Sequence, residues 1–381
     1  MSNNIYLDNA STTKPSSQVI EKVIDETKNS YANPSSLHGM GLSVEKKIKE
    51  AKVIFAKYLG ANPQEIYFTS GGTESNNLAI QGAFNSRLRT HDHIITAKTE
   101  HPSVLSTVKM FEQKGYEIEY VNVDKKGYID KEHLSNLIKE KTAIISIMDT
   151  NNETGTIQDI NSIGKLIKEK NNSTVFHVDG VQAFGKKKIN LKYVDLFSFS
   201  GHKIHATKGV GGLYVRKGTK LNALLFGGDQ QNAIRPGTEN TVGILAFAVA
   251  TQDCYNNMEE RHAYVKTLRS RLLEIKNKIE LININGDEDA GSPYILNVSF
   301  LGVKGEVLLH SLEQEGIYVG TGSACSSKSS HNILSHMGHA DNIYSSAIRF
   351  SFSHENTLSE VDTCINSLQK SVEFLRKFTR K

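Results

Sequence analysis

Short apolar runs rich in β-branched and aromatic residues alternate with amphipathic stretches over residues 44–215. Such runs are typical of buried strands in a parallel sheet, because helices cover both faces of those strands. The predicted strands lie at 66–69, 93–97, 118–123, 143–148, 174–178, 194–200 and 213–215. Helices are predicted at 43–59, from Pro102 onwards and at 160–170. The alternation therefore predicts an α/β fold with a mostly parallel sheet that is covered on both faces.

The pattern changes near Val242, where strands and helices cease to alternate regularly. The elements predicted there are a long helical stretch at 242–278, short strands at 282–284 and 295–300, and helices at 306–315 and 358–378. A chain of 381 residues also favours two domains. The large domain is predicted at 14–256, and the smaller α+β domain at 1–13 together with 257–381, which includes a loop at 320–330.

Two oppositely charged residues follow neighbouring apolar runs at the points where these runs end. Asp179 follows the run at 174–178, and Lys203 follows the run at 194–200. In open α/β sheets, ligands bind beyond the carboxyl ends of the strands, so we expect both side chains to face one crevice. A lysine there can form a Schiff base and an acid can pair with a pyridinium nitrogen, which together suit pyridoxal phosphate (PLP). The alternative for each residue taken alone is a solvated loop charge.

Other strand ends carry residues that suit a cofactor site. Gly72 and Thr73 lie in a glycine-rich turn between a strand and a helix start, where free backbone N–H groups attract phosphate. The turn is neither a P-loop nor a dinucleotide fingerprint, and a structural turn is the alternative. His101 ends the loop after 93–97 and can stack on a ring or move a proton. Asn152, after 143–148, can donate to a carboxylate or a ring oxygen.

Composition is typical of a soluble globular protein, with 38% hydrophobic residues, 23% charged residues and a net charge of +4. The basic runs at 186–188 and 376–381 are interpreted as solvated, with a partner or RNA contact as the alternative. The longest apolar run, 242–250, is far shorter than the ~20 residues of a membrane span. The first residues do not resemble a signal peptide. We therefore expect neither a membrane nor direct nucleic-acid binding.

The three cysteines form no disulfide framework and show no metal-ligand spacing, so a reducing cytoplasm is the simplest compartment. Cys254 and Cys364 lie on helical stretches and are interpreted as packing residues. Cys325 lies within 320–330, where no residue is large and apolar. Such a segment predicts a mobile, exposed loop, and an exposed thiol there indicates a nucleophile.

These residues resemble the cysteine desulfurases of the NifS/IscS type, which are fold-type I PLP enzymes. The resemblance covers nearly the whole chain, because the family's motifs occur in order. The matching segments are 6–13, 68–75, 99–101, 151–153, 177–179, 198–203, 235–240, 322–325 and 346–351. Any single motif is weak evidence for the family, whereas the whole series in this order is highly specific for it. The resemblance implies a large domain with a mostly parallel sheet and a smaller α+β domain.

By this resemblance, Lys203 is the lysine that binds PLP covalently. Asp179 is similar to the partner of the pyridine nitrogen, and Gln182 to the partner of the ring hydroxyl. His101 resembles the histidine that stacks on the ring and relays protons with the lysine. The residues that resemble the phosphate-binding group are Gly72, Thr73, Ser200 and His202.

The resemblance also concerns the substrate and the partners. Asn152, beside the cofactor, and Arg349 resemble the residues that bind the carboxylate of the substrate. Thr238 resembles a residue that reaches the phosphate of the other subunit, which implies a homodimer. Cys325 resembles the mobile cysteine that takes sulfur from L-cysteine as a persulfide and passes it to acceptor proteins. The chain departs from the family pattern at 206–209, at Pro236 and in a short segment at 328–332, which concerns sulfur delivery more than catalysis.

The function implied is that of a cysteine desulfurase, which converts L-cysteine to L-alanine. Its acceptor would be an iron–sulfur scaffold or a tRNA-thiolation enzyme. The alternatives are another fold-type I PLP enzyme, such as a selenocysteine lyase or an aminotransferase, and a catalytically silent sulfur-trafficking scaffold. Cys325 distinguishes the aminotransferase, because transamination has no use for this thiol.

Overall fold

The computed structural model describes residues 4–321 and 332–378 of the chain. The strands, in chain order, are β1 Ile5–Tyr6, β2 Ile66–Thr69, β3 His93–Ala97, β4 Glu117–Val121, β5 Thr142–Met148, β6 Val175–Asp179, β7 Leu196–Ser200, β8 Gly211–Val215, β9 Ile282–Asn285, β10 Ile295–Phe300, β11 Ile317–Tyr318 and β12 Ala347–Ser351. The helices are α1 Ser17–Asn29, α2 Gly39–Leu59, α3 Gly72–Asn85, α4 Pro102–Gln113, α5 Lys131–Leu137, α6 Ile160–Lys170, α7 Thr241–Asn256, α8 Met258–Leu273, α9 Gly305–Gln314, α10 Ile333–His336, α11 Asp341–Tyr344 and α12 Leu358–Arg376. Among these residues, none of the helices combines the length and the apolar character that a membrane span requires.

A seven-stranded sheet has the order β2-β8-β7-β6-β5-β3-β4. The strands from β7 to β4 pair in parallel, whereas β8 is antiparallel to both β2 and β7. The predicted α/β fold with a mostly parallel sheet is therefore confirmed. Because β5, β6 and β7 run in the same direction, their carboxyl ends lie at one edge of the sheet.

Two apolar layers cover this sheet. On one face, the rings of Phe55, Phe184, Phe199 and Phe247 contact one another beneath α2 and α7. On the other face, α3 and α4 contribute a second cluster that contains Phe84. Strands buried from both sides read as continuous apolar runs, which explains why the sequence pattern located them.

A second core lies around the three-stranded antiparallel sheet β12-β10-β9. Strand β1 pairs with β11, and Ile5 and Leu7 join the apolar cluster that also contains Phe300 and Phe350. The N-terminal residues thus pack with the C-terminal part of the chain. The predicted domain boundaries, at 13/14 and 256/257, stay a prediction.

Several predicted elements differ from the observed ones at their ends. The helical stretch predicted at 242–278 is interrupted at Asn257, which separates α7 from α8, and it ends in a short 3₁₀ turn. Helix α2 begins at Gly39 rather than at 43, because the side chain of His38 accepts a hydrogen bond from the backbone of Gly41 and caps the helix earlier. Helices α1 and α5 were absent from the predicted elements.

A buried carboxylate joins α1 to α2. Glu26 is fully buried, and its carboxylate lies 2.5 Å from Nζ of Lys22 and 2.8 Å from Nζ of Lys47. The hydroxyl of Ser30 donates to the same carboxylate. Burial raises the pKa of Glu26, but these hydrogen bonds outweigh burial and lower the pKa to about 2. Ionised Glu26 therefore stabilises the fold at neutral pH.

We expect Glu26→Gln to lower the free energy of unfolding by about 1–3 kcal/mol, because hydrogen bonds to a charged group are lost in a buried site. Glu45→Gln is the matched control, since Glu45 forms an exposed ion pair with Lys49 on α2. It should cost less than about 1 kcal/mol. Urea unfolding at fixed protein concentration measures both changes.

The contribution of Glu26 has a defined pH dependence. Its folded-state pKa is lowered from 4.5 to about 2, so the contribution is complete above the unfolded-state pKa and is lost as the pH falls through this range. The difference between wild type and Glu26→Gln should shrink accordingly. Equal losses for both variants, or a difference independent of pH, would contradict this account.

Candidate active site

Asp179 and Lys203 lie at the same edge of the large sheet. Asp179 is the last residue of β6, and Lys203 ends the 3₁₀ turn that follows β7. The two strands pair in parallel, with Asp179 opposite Ser198. The sequence pattern predicted this meeting of two strand ends, and the sheet topology explains it.

The amine of Lys203 is held by the N-terminal segment of the chain. Its Nζ donates to the carbonyl oxygens of Ala10 and Ser11, at 2.7 and 2.6 Å. Burial lowers the pKa of Lys203 to about 8, and the positive charge of Arg349 acts in the same direction. An amine with a lowered pKa is more readily available as the free base, which is the form that attacks a carbonyl carbon.

Both carboxylate oxygens of Asp179 accept hydrogen bonds. Oδ1 accepts from the backbone of Val181 at 3.0 Å, and Oδ2 accepts from Nδ2 of Asn76 at 2.7 Å. Asn76 lies on α3 and also donates to Oγ of Ser103, at 2.8 Å. Ser103 in turn contacts the ring of His101. Asp179 is therefore fixed in place and joined to His101 through two side chains.

Gln182 lies close to Lys203, because both donate to the same carbonyl oxygen. Nε2 of Gln182 is 2.8 Å from the oxygen of Ala10. Oε1 of Gln182 accepts from Nζ of Lys186, at 2.9 Å. Burial lowers the pKa of Lys186 to about 7. The amide of Gln182 is thus oriented from both ends.

The turn between β2 and α3 forms a cradle. Gly71 precedes α3 and provides no side-chain cap for the backbone N–H groups of the first helical turn. A Cβ atom on Gly72 would lie 2.7 Å from Cγ2 of Val181, so the close approach to the β6 end requires glycine. Oγ of Ser200 is buried and has no partner among the described residues. An uncapped helix N-terminus beside an unpartnered hydroxyl fits a phosphate group.

The remaining candidates for phosphate binding lie nearby. Nδ1 of His202 is 3.2 Å from Oγ1 of Thr12, and its carbonyl accepts from Thr13. Burial lowers the pKa of His202 to about 4, so its ring is neutral near neutral pH. Thr73 is exposed on the first turn of α3.

Arg349 is buried on β12 between two carboxylates. Nη2 lies 2.7 Å from Oδ1 of Asp8, and Nη1 lies 2.9 Å from Oε1 of Glu153. Nη2 also donates to Oγ of Ser11, whose carbonyl binds Lys203. Asn152 contributes its backbone oxygen to Arg349 and keeps a buried Oδ1 without a partner among the described residues. The guanidinium of Arg349 is therefore held in a fixed orientation, and Oδ1 of Asn152 remains available as an acceptor.

Two candidates are not brought to this cluster within the described chain. Thr238 is exposed, and no side-chain hydrogen bond links it to the other candidates in the described ranges. The neighbouring Arg235 forms an ion pair with Glu74 on α3, at 2.8 Å. Cys325 lies outside the described residues. Cys254 and Cys364 are buried on α7 and α12, as predicted for packing residues.

Several residues of the site were not predicted from the sequence. They are Asp8, Ala10, Ser11, Asn76, Ser103 and Glu153. The small polar residues that follow β1 suit a turn near a ligand or a plain turn, and a carbonyl acceptor such as that of Ala10 leaves no signature in a side chain. The sequence signal that could have identified this segment as part of the site is the acidic Asp8, which directly follows an apolar run.

The chain matches a known family over almost its full length. The sequence profile described as aminotransferase class-V matches residues 5–364. A protein named cysteine desulfurase IscS from Methanosarcina thermophila is 40% identical over 380 residues, covering 98% of this chain and 93% of the relative. "Putative cysteine desulfurase IscS 1" of Bacillus subtilis is 38% identical, covering 97% of this chain and 99% of the relative.

A solved structure agrees with these relatives. One described as a NifS-like protein superposes with a TM-score of 0.93 and 36% identity, covering 97% of this chain and all of the other. The profile, the full-length relatives and the shared fold concur. The chain belongs to the aminotransferase class-V family, and within it to the cysteine desulfurases of the NifS/IscS type.

Proposed function

We propose that the protein is a PLP-dependent cysteine desulfurase that takes sulfur from L-cysteine and leaves L-alanine. The observation that carries the proposal is the meeting of Asp179 and Lys203 beside the uncapped N-terminus of α3. The names of the full-length relatives support this choice over a selenocysteine lyase, an aminotransferase or a silent scaffold.

The residues present fit PLP. Oγ of Ser200, buried and without a partner in the described part of the chain, and the N-terminus of α3, whose cap Gly71 has no side chain, suit its phosphate, and Asp179 suits a protonated ring nitrogen. The residues that would hold the cofactor are Gly72, Thr73, His101, Asn152, Asp179, Gln182, Ser200, His202 and Lys203, with Thr238 from the other subunit. When bound, PLP withdraws electrons from the substrate and so eases the loss of its Cα proton.

Lys203 has two tasks in this proposal, covalent attachment and proton transfer. With a pKa lowered to about 8, its Nζ exchanges a proton readily near neutral pH. The carbonyl oxygens of Ala10 and Ser11 hold the amine in position while it is free. The buried lysine is therefore suited to take up the Cα proton of the substrate.

Arg349 is proposed to bind the carboxylate of L-cysteine together with Asn152. Asp8 and Glu153 fix the guanidinium from two sides, so its orientation does not depend on the substrate. Nε of Arg349 is buried and has no partner among the described residues, which leaves a donor for an incoming carboxylate. Asn152 lies at the same place through its backbone contact with Arg349.

Cys325 is proposed to accept the sulfur atom. Its thiolate attacks the sulfur of the substrate, an S–S bond forms, and the Cβ–S bond breaks with its electron pair left on the carbon fragment. Protonation of that fragment gives alanine, and Cys325 becomes a persulfide. An acceptor protein then takes the terminal sulfur. This acceptor is an iron–sulfur scaffold or a tRNA-thiolation enzyme, and a reducing cytoplasm suits the free thiol.

A homodimer is proposed because Thr238 resembles a residue that reaches the phosphate of the other subunit, and several large apolar side chains of the described chain are exposed. Leu37 is 91% exposed and Phe226 is 94% exposed, and Met40 and Leu42 at the start of α2 are about half exposed. Covering these side chains in a dimer would remove apolar surface from water. The exposure of Thr238 in the single chain agrees with a role in the site of the other subunit.

Lys203→Ala should abolish the visible absorption that PLP shows when it is bound to a lysine amine. Turnover should fall by about 10³-fold, because the attachment and the proton carrier are lost together. Lys208→Ala is the control, since Lys208 is an exposed lysine in the following loop. It should keep both the spectrum and the turnover. A wild-type spectrum in Lys203→Ala would refute the assignment of the lysine.

The purified protein with PLP and a reductant should produce alanine and sulfide in equal amounts from L-cysteine. Cys325→Ser should keep the PLP absorption but reduce sulfide release to background. Cys364→Ala is the matched control, because Cys364 is buried in the core of α12 and should not affect turnover. Undiminished release of alanine and sulfide by Cys325→Ser would remove the persulfide step from the proposal.

Phe226→Asp should shift the protein from dimer to monomer in sedimentation velocity, because a charge in an apolar interface is costly to bury. Phe374→Asp is the control at another exposed aromatic residue, on α12. It should leave the dimer intact. A wild-type protein that sediments as a monomer would contradict the proposed homodimer.

A further inference from the structure

A chain of buried hydrogen bonds connects Asp179 to the ring of His101. Nδ2 of Asn76 donates to Oδ2 of Asp179 at 2.7 Å and to Oγ of Ser103 at 2.8 Å. Oγ of Ser103 lies 2.8 Å from Nδ1 of His101. Asn76 is 1% exposed, Asp179 is 3% exposed and Ser103 is 8% exposed, so water cannot readily replace any of these contacts.

The direction of the hydrogen bond between Asn76 and Asp179 follows from the fact that a carboxylate oxygen can only accept. If the amide of Asn76 were reversed, its oxygen would face a carboxylate oxygen of Asp179 at 2.7 Å, and two acceptors would be in contact. The amino group of Asn76 must therefore face Asp179. Its second proton then points at Oγ of Ser103, which accepts it.

The direction of the last bond is fixed by the backbone. His101 is the N-cap of α4, and its Nδ1 accepts from the backbone N–H of Ser103 at 3.1 Å. A backbone amide can only donate a hydrogen bond, so Nδ1 carries no proton. The hydroxyl of Ser103, which already accepts from Asn76, therefore donates to Nδ1 as well.

We propose that Ser103 and Asn76 are positioning residues that hold His101 as the neutral tautomer with its proton on Nε2. This proposal rests on the proposed function, because it assigns roles within the same site. A ring in this form donates a hydrogen bond from Nε2 and does not take up a proton there. Proton uptake from the substrate then belongs to Lys203, and the part of His101 in the proton relay is to donate from Nε2.

Several contributions keep the ring of His101 in its neutral form. Protonation of Nδ1 would break the N-cap of α4 and would oppose the Ser103 hydroxyl. Burial lowers the pKa of His101. The charged groups that act on the ring are Asp179, which raises its pKa, and Lys203, which lowers it. The hydrogen bonds to Nδ1 lower the pKa of His101, as burial does. Both effects oppose the negative charge of Asp179, which raises this pKa.

Nitrogen-15 NMR of the full-length, PLP-loaded protein with ring-labelled histidine tests the proposal directly. The His101 signals are identified by their loss in His101→Gln. We expect an unprotonated Nδ1 and a protonated Nε2 near neutral pH. A protonated Nδ1, in either the other tautomer or the imidazolium form, would overturn the proposal.

A series of variants then tests the role of Ser103. Ser103→Ala removes one of the two donors to Nδ1, so the pKa of His101 should rise by up to about one pH unit. Ser103→Thr keeps the hydroxyl and should restore the wild-type value. Thr107→Val is the matched control, because its hydroxyl also joins α4 to α3, through Asn77 at 2.9 Å, and contacts Ser103 at the backbone oxygen and not at the hydroxyl under test.

Kinetics provide a second measurement. Ser103→Ala should lower kcat by about fivefold to tenfold with little change in KM, since the ring is misplaced but the substrate carboxylate is still bound. An unchanged His101 pKa in Ser103→Ala would show that the helix cap alone sets the tautomer, and would refute the role of Ser103 and Asn76. Failure of the desulfurase proposal is recognised separately, by the absence of alanine while the tautomer remains as described.

Discussion

His177 fixes the alignment of the three strands on which the site is built. In the interior of the large sheet, its Nδ1 contacts Oγ of Ser146 on β5 at 2.8 Å, and its Nε2 contacts Oγ of Ser198 on β7 at 2.9 Å. Burial lowers the pKa of His177 to about 3, so the ring is neutral and satisfied on both sides. A register slip would leave three buried polar groups without partners, which is costly. The ring lies two residues before Asp179, and the same register therefore places the carboxylate at the strand end.

The site is completed by the first residues of the chain, which are distant from it in sequence. The carbonyl of Ala10 binds both Lys203 and Gln182, and Ser11 contacts both Lys203 and Arg349. These contacts form only when β1 pairs with β11 and Asp8 reaches Arg349. The two apolar cores are thereby coupled through polar contacts at the site, so their relative position determines the separation of the lysine from the arginine.

The sequence allowed the parts of the site that depend on strand ends to be predicted. Asp179 and Lys203 follow apolar runs, and the glycine-rich turn before α3 follows another, so periodicity and turn chemistry locate all three. Asn76 and Ser103 are different, because a polar residue on a helix gives no indication of whether it faces water or a buried neighbour. The interruption at Asn257 was also missed, because the residues on both sides of it favour a helix. The position of Cys325 lies outside the described residues, and its role rests on the family resemblance.

The charges around Arg349 bear on the proposal that this buried arginine binds the carboxylate of the substrate. Asp8 and Glu153 both contact the guanidinium, and two ionised carboxylates would repel a third. Burial raises the pKa of Glu153; the positive charge of Arg349 opposes this effect, and the negative charge of Asp8 reinforces it. Glu153 therefore takes up a proton more readily than an exposed carboxyl, and the cost of bringing a substrate carboxylate to Arg349 falls. The same burial lowers the pKa of Lys203, so the binding of an anion and the availability of a free amine arise from one desolvated environment.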